Sequence, residues 1–126
     1  MRLLAVLALL ALAACSTTTI RNDRGGNVVK YAIKVGKTKA VRFDGECMSA
    51  CTLYLAHPNK CLTRRASFWF HRPYGSTPAN NNISAEFMLR SYPLWVRDWI
   101  ANNGGLTSRM IVMPYSYAIQ HMRPCT

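Results

Sequence analysis

Acidic residues are scarce in this chain: 5 Asp and Glu stand against 16 Lys and Arg, a formal charge of +11. Long apolar runs are missing after the N-terminus, where none reaches the roughly 20 residues of a membrane-spanning helix. No internal repeat is visible, so a stacked-repeat architecture is excluded. The basic residues are scattered and form no aromatic-basic platform, which argues against nucleic-acid binding. At 126 residues the chain has no room for a second domain. Hydrophobic residues make up 50% and charged residues 17%, a balance that excludes disorder by composition.

What is present begins with a targeting signal. Met1-Arg2 supplies a short positive region, and residues 3–14 are apolar without interruption. That run is too short to span a membrane but suits a signal peptide. It ends Leu12-Ala13-Ala14-Cys15, followed by Ser16. The segment resembles the lipobox of bacterial lipoproteins, in which cleavage precedes the cysteine and its thiol is lipidated. Ser16, rather than Asp, resembles the pattern sorted to the outer membrane. The other reading is an ordinary secretory signal with a cysteine after the cut. Either way residues 1–14 are expected to be removed and 15–126 to form one exported domain in the periplasm. The lipoprotein reading adds a membrane anchor at Cys15. Cleavage removes Arg2 and leaves 15 basic against 5 acidic residues, a charge of +10. Anionic lipid headgroups or cell-wall polymers are the partners such a charge would find outside the cytoplasm. A solvated basic surface is the equal alternative.

Four further cysteines remain: Cys47, Cys51, Cys61 and Cys125. An even number in a small exported domain reads as two disulfides, with three connectivities open. Cys125 lies next to the C-terminus, so one bridge is expected to pin the tail to the body. A zinc site from Cys47, Cys51, Cys61 and His71 is the rival, with a loose C-x3-C spacing. No metal or other cofactor is expected.

The local pattern predicts a strand over 17–20, a turn at 22–26 and a helix over 28–35 broken by Gly36. A strand follows over 39–43, then a helix starting at Ser49 and running to Ala56. Cys61-Leu62 and 67–70 read as short strands. Residues 74–82, with Gly75, Pro78 and three consecutive Asn, read as a loop. Ser84 then caps a helix through Tyr92, and Pro93 opens another that Gly104-Gly105 stops. Residues 110–113 are apolar, and 115–122 form a short helix or turn. This order predicts an α/β layered domain with a short, mostly parallel sheet flanked by helices.

Three features would serve a serine hydrolase. Gly25-Gly26 follows a strand and precedes a helix, so backbone N–H groups there can approach an oxyanion. Ser49 sits where a strand gives way to a helix, near the positive end of its dipole. His71 ends a strand, and imidazole is the usual base for a serine. Each has a plainer reading: a turn, an N-cap, a hydrogen-bonded histidine. The G-x-S-x-G elbow is missing, because Cys47 and Cys51 stand in its glycine positions.

Taken together, Asp23-Arg24-Gly25-Gly26-Asn27-Val28, Gly45-Glu46-Cys47-Met48-Ser49-Ala50-Cys51-Thr52-Leu53 and Phe68-Trp69-Phe70-His71-Arg72-Pro73 resemble the ClpP/crotonase superfamily. The resemblance is to the Clp protease proteolytic subunit and, more closely, to small exported relatives with a G-x-C-x-S-A-C-T segment. It implies a ClpP-like layered fold, Ser49 as nucleophile and His71 as general base. It also implies an oxyanion hole drawn from Gly25, Gly26 and Ala50. The family's acid falls further on, where 109–113 contains no carboxylate. Asp98 is the only acid after Glu86.

Two functions follow. One is an exported serine hydrolase, a peptidase acting on peptide or protein substrate through a Ser49–His71 dyad. The other is a non-catalytic envelope lipoprotein that keeps the scaffold and binds a peptide or anionic partner. A carboxylate of Asp98 or Asp44 bonded to His71 would favour the first. Ser49 buried behind a bridge of Cys47 or Cys51 would favour the second.

Overall fold

A computed structural model describes residues 16–126; the expected signal peptide, residues 1–14, and the expected lipidation site Cys15 lie outside the described residues. The chain is α/β, with short, mostly parallel strands flanked by helices. Strand β1 (Thr17–Ile20) leads into helix α1 (Val28–Lys37), and then come β2 (Ala40–Phe43) and β3 (Glu46–Met48). A 3-10 helix (Ser49–Ala56) follows directly, then β4 (Lys60–Leu62) and β5 (Ser67–Phe70). Helices α2 (Pro78–Ser91) and α3 (Leu94–Asn102), strand β6 (Ile111–Met113) and helix α4 (Tyr115–Ala118) complete the order.

The strands divide between two three-stranded sheets, β1-β2-β4 and β3-β5-β6, and only the β5–β6 pair is antiparallel. The sheets meet where two neighbouring strands bend together. After β1 the chain turns at Asn22, whose φ is 63°, and Asp23 then bridges to Cys47 in β3. After β2 it turns at Gly45, where an added Cβ would lie 2.9 Å from Asn22 N. The bend is therefore open only to glycine, and it carries the chain from one sheet into the other beside Ser49.

Helix α1 is anchored at Asn27, whose side-chain oxygen accepts from Lys30 N at 3.0 Å. It buries Tyr31 and packs Val28, Ala32 and Val35 against the core, one stripe at helical spacing. Val29 and Ile33 are apolar too but fall off this stripe and are exposed. Gly36 does not break α1. The helix runs through it to Lys37, and Lys34 and Lys37 oppose the negative end of its dipole.

Two other expectations need correction. Residues 78–82 are helical, not loop, and Ser84 lies inside α2 rather than capping it. Thr77 is the cap, accepting from Asn80 N at 3.2 Å, and Pro78 fills the first turn. Asn80 and Asn81 bond back to Ser76, so the polar run stitches the helix start instead of opposing it. The second correction is β3, which the pattern did not announce. Its three residues are too few to show alternation.

The core centres on edge-to-face aromatic pairs: Phe43 with Phe68 at 4.9 Å and Phe70 with Tyr92 at 5.6 Å. Both predicted disulfides form, as Cys47–Cys51 and Cys61–Cys125. The second joins the tail to β4 across a sequence separation of 64, where Cys125 N also donates to Leu62 O at 2.9 Å. Closing a loop of that length stabilises by about 4 kcal/mol on the chain-entropy model. All three cysteines of the zinc alternative are thereby consumed.

Candidate active site

Ser49 stands at the junction of β3 and the 3-10 helix with φ of 55°. A left-handed serine costs on the order of 1–3 kcal/mol and persists only where its surroundings hold it. The cap position belongs to Met48, which makes no side-chain cap bond, so the N-cap reading of Ser49 is overturned. Ser49 is half-buried and lines a cleft of about 520 Å³.

Three contacts hold this conformation. The Cys47–Cys51 bridge closes a ring around Met48-Ser49-Ala50, and both cysteines are fully buried. The bridge thus lies beneath Ser49 and does not cover it. Gly25 presses against the same turn: a Cβ there would come 2.5 Å from Met48 O and 2.9 Å from Ser49 Cβ. Gly25 also has φ of 82°. The third contact comes from the core. Thr52 Oγ1 donates to Ser49 O at 2.6 Å and lies 2.6 Å from Tyr92 Oη. The threonine has one hydroxyl proton, and a carbonyl can only accept, so Tyr92 is the donor to Thr52. A buried relay thus runs from α2 to the Ser49 carbonyl. Burial holds the Tyr92 phenol above its ordinary range, so it stays a donor.

His71 directly follows β5 and lines the same cleft, together with Gly25, Gly26, Tyr74 and Ser84. The other two histidines are committed elsewhere: His57 bonds Thr38 O and Asn59, and His121 stacks on Trp95 at 4.8 Å. His71 Nδ1 lies 2.9 Å from Arg72 O. Among the described residues no hydrogen bond joins Ser49 to His71. Such bonds are often loose in free enzymes and tighten with substrate.

The three predicted oxyanion donors separate. Gly25 N–H donates to Asp23 Oδ1 at 2.8 Å, so it is committed. Gly26 N–H bonds to no other described residue. Ala50 lies in the first turn of the 3-10 helix, where N–H groups have no intrahelical acceptor. Ala50 N is also 2.9 Å from the Cβ position of Gly25, so the two loops meet at the cleft floor.

Neither acid considered for His71 reaches it. Asp44 is buried and accepts from Thr63 Oγ1 at 2.7 Å, from Arg65 Nε and Nη2, and from Arg21 Nε. The Thr63 hydroxyl, then Arg65, hold its carboxyl down at about 2. Asp98 is exposed on α3.

Sequence reasoning missed Asp23, Thr52 and Tyr92. Asp23 fixes the glycine loop, bonding Gly25 N and Tyr31 Oη, the latter at 2.6 Å. Burial first, and this bond second, raise the Tyr31 phenol above its ordinary range. The Asp23-x-Gly25 spacing is a legible turn signal. Thr52 and Tyr92 lie 40 residues apart, and no local pattern connects them.

No family model matches this chain, and no curated protein matches it. Among solved structures it is similar to a ClpP1 point mutant from Listeria monocytogenes, at 19% identity and a TM-score of 0.46. That similarity covers 90% of this chain and 74% of the other.

Proposed function

We propose that this chain is an exported serine hydrolase of peptidase type, with Ser49 as nucleophile and His71 as general base. The observation that carries the reading is the left-handed Ser49 at a strand-to-helix junction, lining one cleft with His71. Strain of this kind concentrates at working sites. The likeness of the three motif segments to the ClpP/crotonase superfamily supports the same roles.

In this reading Ser49 Oγ attacks a carbonyl carbon of a bound peptide, and its proton passes to His71 Nε2. The oxyanion is met by the N–H groups of Gly26 and Ala50. His71 returns the proton to the leaving amine as the C–N bond breaks. Water then repeats the sequence on the acyl-enzyme and frees Ser49. The cleft size suits a few residues of substrate. Two disulfides support an oxidising compartment, in keeping with a cleaved leader and a lipid anchor at Cys15.

Fluorophosphonate labelling of the oxidised mature protein, with Cys15→Ser, tests the activity. Labelling that disappears in folded Ser49→Ala and His71→Ala variants is expected. No labelling of the folded parent would overturn the hydrolase reading and favour a non-catalytic envelope protein that binds peptide or an anionic partner. Mass spectrometry of membrane fractions tests the anchor, which predicts an acylated N-terminal Cys15.

A further inference from the structure

A catalytic imidazole needs a partner at its second nitrogen to fix its tautomer and orientation, and a buried acid commonly supplies it. Here the group at that nitrogen is a main-chain carbonyl. His71 Nδ1 lies 2.9 Å from Arg72 O. A carbonyl has no proton to give, so the contact is a hydrogen bond only when Nδ1 carries the proton. The neutral ring then keeps its lone pair on Nε2, the nitrogen a general base needs.

We propose that the Arg72 carbonyl is the positioning group for His71 and stands in for the missing acid. The inference rests on the hydrolase reading above. Three features hold the carbonyl in place. Arg72 N–H donates to Thr107 O at 2.7 Å, which ties the segment to the loop before β6. The Arg72 guanidinium bonds Asn82 on α2, a second tie to a different element. Pro73 follows, and its ring pushes the preceding residue toward extended backbone, which limits where the carbonyl can point. A neutral dipole fixes the tautomer but stabilises the imidazolium less than a carboxylate would. The dyad should therefore turn over slowly while keeping the correct protonation pattern.

The test reads the ring directly. Mature disulfide-bonded protein carrying Cys15→Ser and ¹⁵N-histidine is examined by long-range ¹H–¹⁵N correlation at a pH where His71 is neutral. The expected pattern is Nδ1 protonated and Nε2 bare. The opposite tautomer, or an average of the two, would overturn the proposal. A second arm replaces Pro73 with lactic acid, which turns the Arg72 carbonyl into an ester and weakens it as an acceptor. Residue 73 natively carries no N–H, so the ester deletes no donor; Pro73→Ala is the amide control. Labelling of the ester form roughly fivefold to tenfold slower than the control is expected. Equal rates would count against the proposal. If the parent protein does not label at all, the hydrolase reading fails while the tautomer measurement still decides this one.

Discussion

At Ser49 the side chain and the backbone make opposite demands. The hydroxyl is wanted in the cleft, yet φ of 55° suits glycine. Ser49→Gly and Ser49→Ala both remove the nucleophile, but only glycine relieves the backbone. Ser49→Gly should therefore be more stable than Ser49→Ala by about 1 kcal/mol in urea denaturation. Equal midpoints would mean that the turn is not strained. Gly25 has no such freedom. A methyl group 2.5 Å from Met48 O forces the two loops apart, so Gly25→Ala should lose labelling and roughly 1–3 kcal/mol of stability. Tyr92→Phe removes the donor to Thr52 and should cost on the order of 1 kcal/mol. The displaced Ser49 carbonyl should slow labelling in the same variant. The glycine pair, the serine and the histidine were legible because turn, junction and strand-end each leave a local mark. The relay was not, because its members meet only through tertiary packing.

Among the elements, α2 shows most clearly how one local signal outweighs another. Three consecutive Asn disfavour a helix interior, and that composition suggested a loop. Thr77-Pro78 starts the helix all the same, with the Asn side chains bonded to Ser76 in its first turn. Thr77→Ala should cost about 1 kcal/mol and fray the residues that line the cleft. Amide exchange at 80–84 would report it, and unchanged protection there would contradict this account. Apart from β3, strand and helix order were otherwise readable, down to the ends of β1 and β5, because their β-branched and aromatic runs are bounded by turn residues. The split into two sheets was not, since it depends on a bend shared by Asn22 and Gly45, which follow different strands.

For the whole molecule, electrostatics sets the acid limit. Asp44 ties β2 to Arg21 and Arg65, and its carboxyl is held at about 2 against an ordinary value of 3.8. The group's folded-state value is depressed, so its contribution is complete above pH 4 or so. It fades as the pH falls toward 2, where the native carboxylate takes up its proton. Acid titration of Asp44→Asn should lack that part of the stability loss. A parallel loss in both proteins would assign it to other groups.

The tail has one more consequence, for solubility. In the sheet β1-β2-β4, β4 is an edge strand, and an open edge invites pairing with another chain. Pro124 bridges to Leu62 on that edge, Leu62 N donates to Arg123 O, and the Cys61–Cys125 bond keeps the cover in place. Residues 123–125 thus act as a stopper: a short parallel segment, locked by sulfur and carrying a proline that offers no donor to a newcomer. Cutting the tail or reducing that bond would bare the edge, and the chain should then aggregate before its core comes apart.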